Sequence, residues 1–199
     1  METPTQFTQD TNKVIEAVIY MAEQSKDDSY FGERKVYKLL YYADCEAYRQ
    51  HGAPITGTMY VHYPHGPFPE NWPTLKKRMI TAGDVQIFGS HPREGRKDHG
   101  LNLIYPQRSV REGILTPEDY AILSAQVKRF AGFNFAGIEE YVQEEAGWFT
   151  TDDGDTIPYE ASGISAPPLS ADGVRRGKSI AERRARQRTP LRSPGDRPV

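Results

Sequence analysis

Apolar positions along the chain recur first at helical spacing. Val14, Ile15, Val18, Ile19 and Ala22 form one stripe after Thr8 or Asp10, and the polar run SKDDS closes it. A longer segment, about Glu33 to His51, carries two adjacent stripes: Val36, Leu39, Leu40, Ala43 and Ala47 on one, and Tyr37, Tyr41, Cys45 and Tyr48 on the next. A helix apolar on two neighbouring faces is buried on most sides, so this is the expected central helix, stopped by Gly52. Between Thr58 and Tyr63 the period changes to two, which predicts a strand with Met59, Val61 and Tyr63 on one face. The next segment, Pro64 to Pro69, holds three prolines in six residues and reads as a rigid turn.

A third helix follows with Trp72, Leu75, Met79 and Ile80, and Asp84–Phe88 and Leu101–Tyr105 suggest a hairpin around a polar loop. Thr116-Pro117-Glu118-Asp119 supplies an N-cap, a proline at the first helical position and an acid two positions on, ahead of Tyr120, Leu123, Val127 and Phe130. Asn134 is the expected cap of a fifth helix with Ile138, Tyr141 and Val142, ending at Gly147, and Ile157 to Ala161 reads as an edge strand. The fold class expected is α+β: mainly α, about five helices around a Tyr-rich central helix, with a small antiparallel sheet.

Composition limits the core. Only 39 of 199 residues are Leu, Ile, Val or Phe, so the 12 Tyr and 2 Trp must supply much of the buried area. Net charge is −2, but residues 170–199 hold nine basic and three acidic side chains, leaving 16 basic against 24 acidic in 1–169. That cationic end is nearly free of aliphatic residues and cannot offset its ordering entropy by burial. The expected division is a folded domain over 1–162 and a basic, disordered tail over 163–199. No apolar run reaches the roughly 18 residues of a membrane span, and METPTQFTQD lacks the order of a secretory signal, so a cytoplasmic location is expected.

The residues capable of chemistry are few. Cys45 lies in an aromatic stripe between Asp44 and Glu46, whose charges raise a thiol pKa, and reads as a buried structural cysteine. His62 and His65 stand on a strand and a turn without a third ligand nearby, and His91 and His99 flank a loop; neither pair predicts a metal site. Glu139-Glu140 and Glu144-Glu145 are adjacent on a helix and point in different directions. Phosphate-binding glycine motifs, HExxH and GxSxG are absent. Neither a catalytic residue nor a cofactor is expected, and the chain does not read as an enzyme.

Three short motifs in order carry a family likeness: Lys38-Leu39-Leu40-Tyr41-Tyr42-Ala43-Asp44, then Pro54-Ile55-Thr56-Gly57, then Gly66-Pro67 after the strand. In that spacing the chain resembles the Panacea (SocA-like) antitoxin domain, formerly described as a phage-associated protein, over about residues 7–162. It departs where the family often has a Ser/Thr-His pair ahead of a Trp; here Gln143-Glu144-Glu145 precede Trp148. The resemblance implies a non-catalytic antitoxin of a toxin–antitoxin system that neutralises, by direct protein–protein contact, a toxin encoded nearby. Two surfaces are candidates for the toxin: the turn with Tyr63, His65, Phe68 and Trp72, and the tail with Arg175, Arg176, Arg183, Arg184 and Arg186. The alternatives are a regulator that binds nucleic acid weakly through the tail, and an adaptor that delivers the toxin to a protease.

Overall fold

The computed structural model describes residues 7–28, 30–89, 102–133, 137–139, 142, 147 and 150–163. In chain order the elements are α1 (Thr11–Gln24), α2 (Glu33–His51), β1 (Tyr60–Tyr63), β2 (Gly66–Pro69), α3 (Trp72–Thr81), β3 (Val85–Gly89), β4 (Asn102–Pro106), α4 (Pro117–Arg129) and β5 (Thr156–Ile157). A 3₁₀ turn, Tyr159–Gly163, follows. Gly137, Ile138, Glu139, Val142 and Gly147 are helical and fall within the segment where a fifth helix is expected. Its expected cap Asn134, along with Tyr141, lies outside the described residues, as does the whole of 164–199.

The expected α+β architecture is observed. Asp10 caps α1 by accepting from the Asn12 and Lys13 amides, and Thr116 and Asp119 close a reciprocal capping box at α4. Helix α2 is central: twelve of its residues are buried, including the polar Glu33, Lys35, Lys38 and Asp44. Cys45 is buried and reduced. Gly52 ends the helix at φ 73°, in the left-handed region that glycine adopts without cost.

Two sheets form where one was expected, a three-stranded β2-β1-β5 and a two-stranded β3-β4, all antiparallel. The proline-rich 64–69 segment is not wholly a turn. Only Pro64-His65 turn, and Gly66–Pro69 pair with β1 as Tyr60↔Pro69 and His62↔Pro67. Prolines fit here because β2 is an edge strand, where a missing N–H removes no ladder bond. Strand β1 buries Tyr60 and His62 and turns the Met59, Val61 and Tyr63 face outward. The expected edge strand at 157–161 is reduced to Thr156–Ile157, because Pro158 ends it and the chain coils into the 3₁₀ turn. Ile80 is exposed on α3, apart from its buried companions Trp72, Leu75 and Met79.

Candidate functional site

The motif residues meet in the interior. Leu39, Leu40, Tyr41 and Ala43 are core side chains. Asp44, fully buried, accepts from the Thr56 amide at 2.7 Å through Oδ1, and from the Thr56 hydroxyl at 2.5 Å and the Tyr60 hydroxyl at 2.7 Å through Oδ2. The Tyr159 hydroxyl stands 3.5 Å from the same Oδ2 and donates to the Thr58 carbonyl at 2.5 Å. One carboxylate thus ties α2 to the Pro54–Gly57 turn, to β1 and to the final 3₁₀ turn. Burial pushes its pKa up to about 6, against the hydrogen bonds from Thr56 and Tyr60 that pull it down.

Lys38 serves the other end of β1. Its Nζ donates to the Pro67 carbonyl at 3.2 Å, and burial pushes the amine down to about 7 while Glu139 pulls it up. Gly66 lies over it at φ 101°, and a Cβ there would come 2.8 Å from Lys38 Cε. Gly57, at φ 67°, would place a Cβ 2.6 Å from the Thr8 carbonyl oxygen. Gly57→Ala is therefore expected to cost about 1–3 kcal/mol from the left-handed backbone alone, with the clash added. A thermal melt within a degree or two of wild type would show that the turn relaxes freely.

The four aromatic and histidine candidates are brought together but not on one surface. Tyr63, 47% exposed, packs edge-on against Phe68 at 5.3 Å; Phe68 packs on Tyr37 at 5.0 Å, and Tyr37 on Trp72 at 4.9 Å. The ladder runs inward, and Trp72 is only 2% exposed, with its indole N–H donated to Glu33 at 2.9 Å. Trp72 is a core residue, not a surface anchor, because Glu33 offers its N–H a buried partner. His65 is exposed at the turn, and its Nδ1 lies 2.8 Å from Glu139 Oε1. Tyr37, the link in the ladder, is not among the surface candidates that the sequence offers; it lies on the second apolar stripe of α2, one residue ahead of the motif.

Arg175, Arg176, Arg183, Arg184 and Arg186 lie outside the described residues. Among the described residues no group of three or more His, Cys, Asp or Glu is arranged to hold a metal, and no helix is long and apolar enough to cross a membrane. Two features had no counterpart in the motif reading. One is a buried ionic cluster of Glu16, Asp84 and Arg108. The other is an exposed aromatic pair, Phe88 and Tyr105, on the β3-β4 sheet.

A family model described as "Antitoxin SocA-like, Panacea domain" matches residues 36–149. That span covers more than half of the chain and contains all three motifs, and the protein belongs to this family. Neither a curated protein nor a solved structure matches the chain.

Proposed function

We propose that this protein is the antitoxin of a toxin–antitoxin pair and neutralises its toxin by binding it directly. The family match over 36–149 carries the reading. It is supported by how the motif's ionisable residues are used. Lys38 and Asp44 are engaged inside the fold, holding the β1-β2 turn and the Pro54–Gly57 turn, so the motif builds a scaffold and recognition falls to the surface around it.

The contact surface proposed is the outer end of the aromatic ladder, the exposed Tyr63 and the half-buried Phe68 with His65 beside them, assisted by the tail arginines. Aromatic anchors at an interface typically cost about 2 kcal/mol or more when truncated, roughly thirtyfold in affinity. Co-expression with the toxin of the neighbouring reading frame should restore growth with the wild-type chain. Tyr63→Ala and Phe68→Ala should weaken toxin binding by roughly thirtyfold while the protein stays folded. Trp72→Ala should instead lower stability, by about 3–5 kcal/mol, as a large core truncation does. Failure of the wild-type chain to rescue growth removes the antitoxin reading, whereas rescue with wild-type affinity in both folded variants moves the interface elsewhere. Deleting 170–199 should also weaken binding, with the loss shrinking at high salt, because a cationic strand acts through screened attraction.

A further inference from the structure

The turn between β1 and β2 is gripped by side chains from elsewhere in the chain. Only Pro64 and His65 turn, and Tyr63 pairs with Gly66 across them. Gly66 is closely packed: a Cβ there would lie 2.8 Å from Lys38 Cε and 3.1 Å from Val142 Cγ1. Lys38 belongs to α2 and Val142 is a helical residue more than a hundred positions further on, so two distant segments pack against one turn residue. Glu139, also helical, adds a polar contact. Its Oε1 lies 2.8 Å from His65 Nδ1. The charge of the same carboxylate favours the protonated form of the buried Lys38 amine, whose Nζ donates to the Pro67 carbonyl at 3.2 Å. Glu139 is thus shared between a buried amine and an exposed imidazole, its own side chain being 22% exposed against 64% for His65. An ion pair as open to solvent as this one adds little to stability. What it supplies is a fixed direction for the ring. An ionised carboxylate only accepts, so the proton of the 2.8 Å contact sits on Nδ1.

We propose, resting on the antitoxin reading above, that Glu139 is a positioning residue of the contact surface: it fixes His65, and with it the turn that presents Tyr63 and Phe68, and it acts on toxin affinity through His65. The place of the turn in the sheet makes this effective. Tyr63 is the last residue of β1 and Gly66 the first of β2, so a rotation of the two residues between them is passed directly to the Tyr63 ring. Tyr63 in turn packs on Phe68 at 5.3 Å. The ring pair is therefore presented as one unit, and its direction is set by a carboxylate that lies 74 positions from His65 in the chain.

Two measurements on the full chain test this. Imidazole nitrogen NMR of the free protein, under conditions where the ring is neutral, should show His65 protonated at Nδ1, and Glu139→Ala should abolish that preference. Against the purified toxin of the neighbouring reading frame, Glu139→Ala and His65→Ala should each lose about tenfold in affinity with melting curves close to wild type. The double variant should lose no more than about tenfold, because both substitutions remove one and the same contact. Independent contributions would instead multiply to roughly a hundredfold. His65→Ala breaks the contact from its exposed side, so the test stands even where Glu139→Ala does not fold. Wild-type affinity in His65→Ala, losses that multiply in the double variant, or a His65 ring that is not protonated at Nδ1 or is indifferent to Glu139→Ala would each overturn the positioning role while leaving the antitoxin reading in place. A wild-type chain that does not bind the toxin removes both.

Discussion

Replacing Arg108 with alanine is expected to cost about 3–5 kcal/mol of stability, the penalty for leaving buried charge without its partner. The Arg108 guanidinium donates to both oxygens of Glu16, at 2.8 and 2.7 Å, and through Nε to Asp84 at 2.6 Å. Both carboxylates are buried, so water cannot replace the lost donors. The fork holds the middle of α1 to the residue that precedes β3, and the hydrogen bonds to Glu16 push the arginine pKa well above its ordinary range. Arg111 gives partial cover: its amide donates to Glu16 at 2.9 Å, but its guanidinium nitrogens are 3.7 Å from Glu16 and Asp84. Arg108→Lys should lose less than Arg108→Ala but not match wild type, since one ammonium cannot span two carboxylates. Urea denaturation measures the loss. Adding Glu16→Gln to Arg108→Ala should recover part of it, because one of the stranded charges is then gone. A loss below about 1 kcal/mol in Arg108→Ala, the size of an exposed pair, would mean that Arg111 takes over the site.

This cluster also shows where the sequence stops being readable. Glu16 sits inside the apolar stripe Val14, Ile15, Val18, Ile19 of α1, and a carboxylate there calls for a cation. Nothing local says that the cation is 92 positions further along. The same holds for Glu33, whose partners are Trp72, Lys76 and Asn102. Helices α1, α2 and α4 are legible because the apolar period and at least one end signal, Asp10 for α1, Gly52 for α2 and Thr116 for α4, lie within one segment. Strand β2 is not, since its prolines give no strand signal and only its place at the sheet edge admits them. Trp72 reads as a surface anchor from its position beside a turn, and the Tyr37 ring and the buried Glu33 carboxylate, both distant in sequence, are what hold it in the core. In the candidate site the motif positions can be read from sequence, but their function inside the fold cannot. The groups that engage Lys38 and Asp44, the Pro67 carbonyl and the Thr56 and Tyr60 donors, lie 29, 12 and 16 positions further along, beyond any local signal.

On the acid side of neutrality a large pH effect is expected at Asp44. Its carboxyl titrates near 3.8 in an unfolded chain and at about 6 in the fold, chiefly because burial disfavours the charge. Between those values the folded state holds a proton that the unfolded state has released. The resulting stabilisation is complete below pH 3.8 and is lost as pH rises through about 6. A shift of this size corresponds to about 3 kcal/mol. Lys38 behaves oppositely. Its amine falls from 10.5 to about 7 on burial, so its contribution is present above 10.5 and disappears as pH falls through about 7. Both groups are therefore charged, and least favourable to the fold, just above pH 6. Asp44→Asn isolates the acid side of this pattern. The Thr56 and Tyr60 hydroxyls can reverse to accept from the amide, so the variant should track wild type near pH 4. It should then gain on wild type by up to about 3 kcal/mol by pH 7, as the native carboxylate ionises in the core. Asp44→Ala strands the Thr56 amide and both hydroxyls and should cost about 3 kcal/mol or more near pH 4. Denaturant midpoints for the three proteins between pH 4 and 7 decide the matter. A constant difference between wild type and Asp44→Asn across that range would mean that Asp44 does not change its protonation state there.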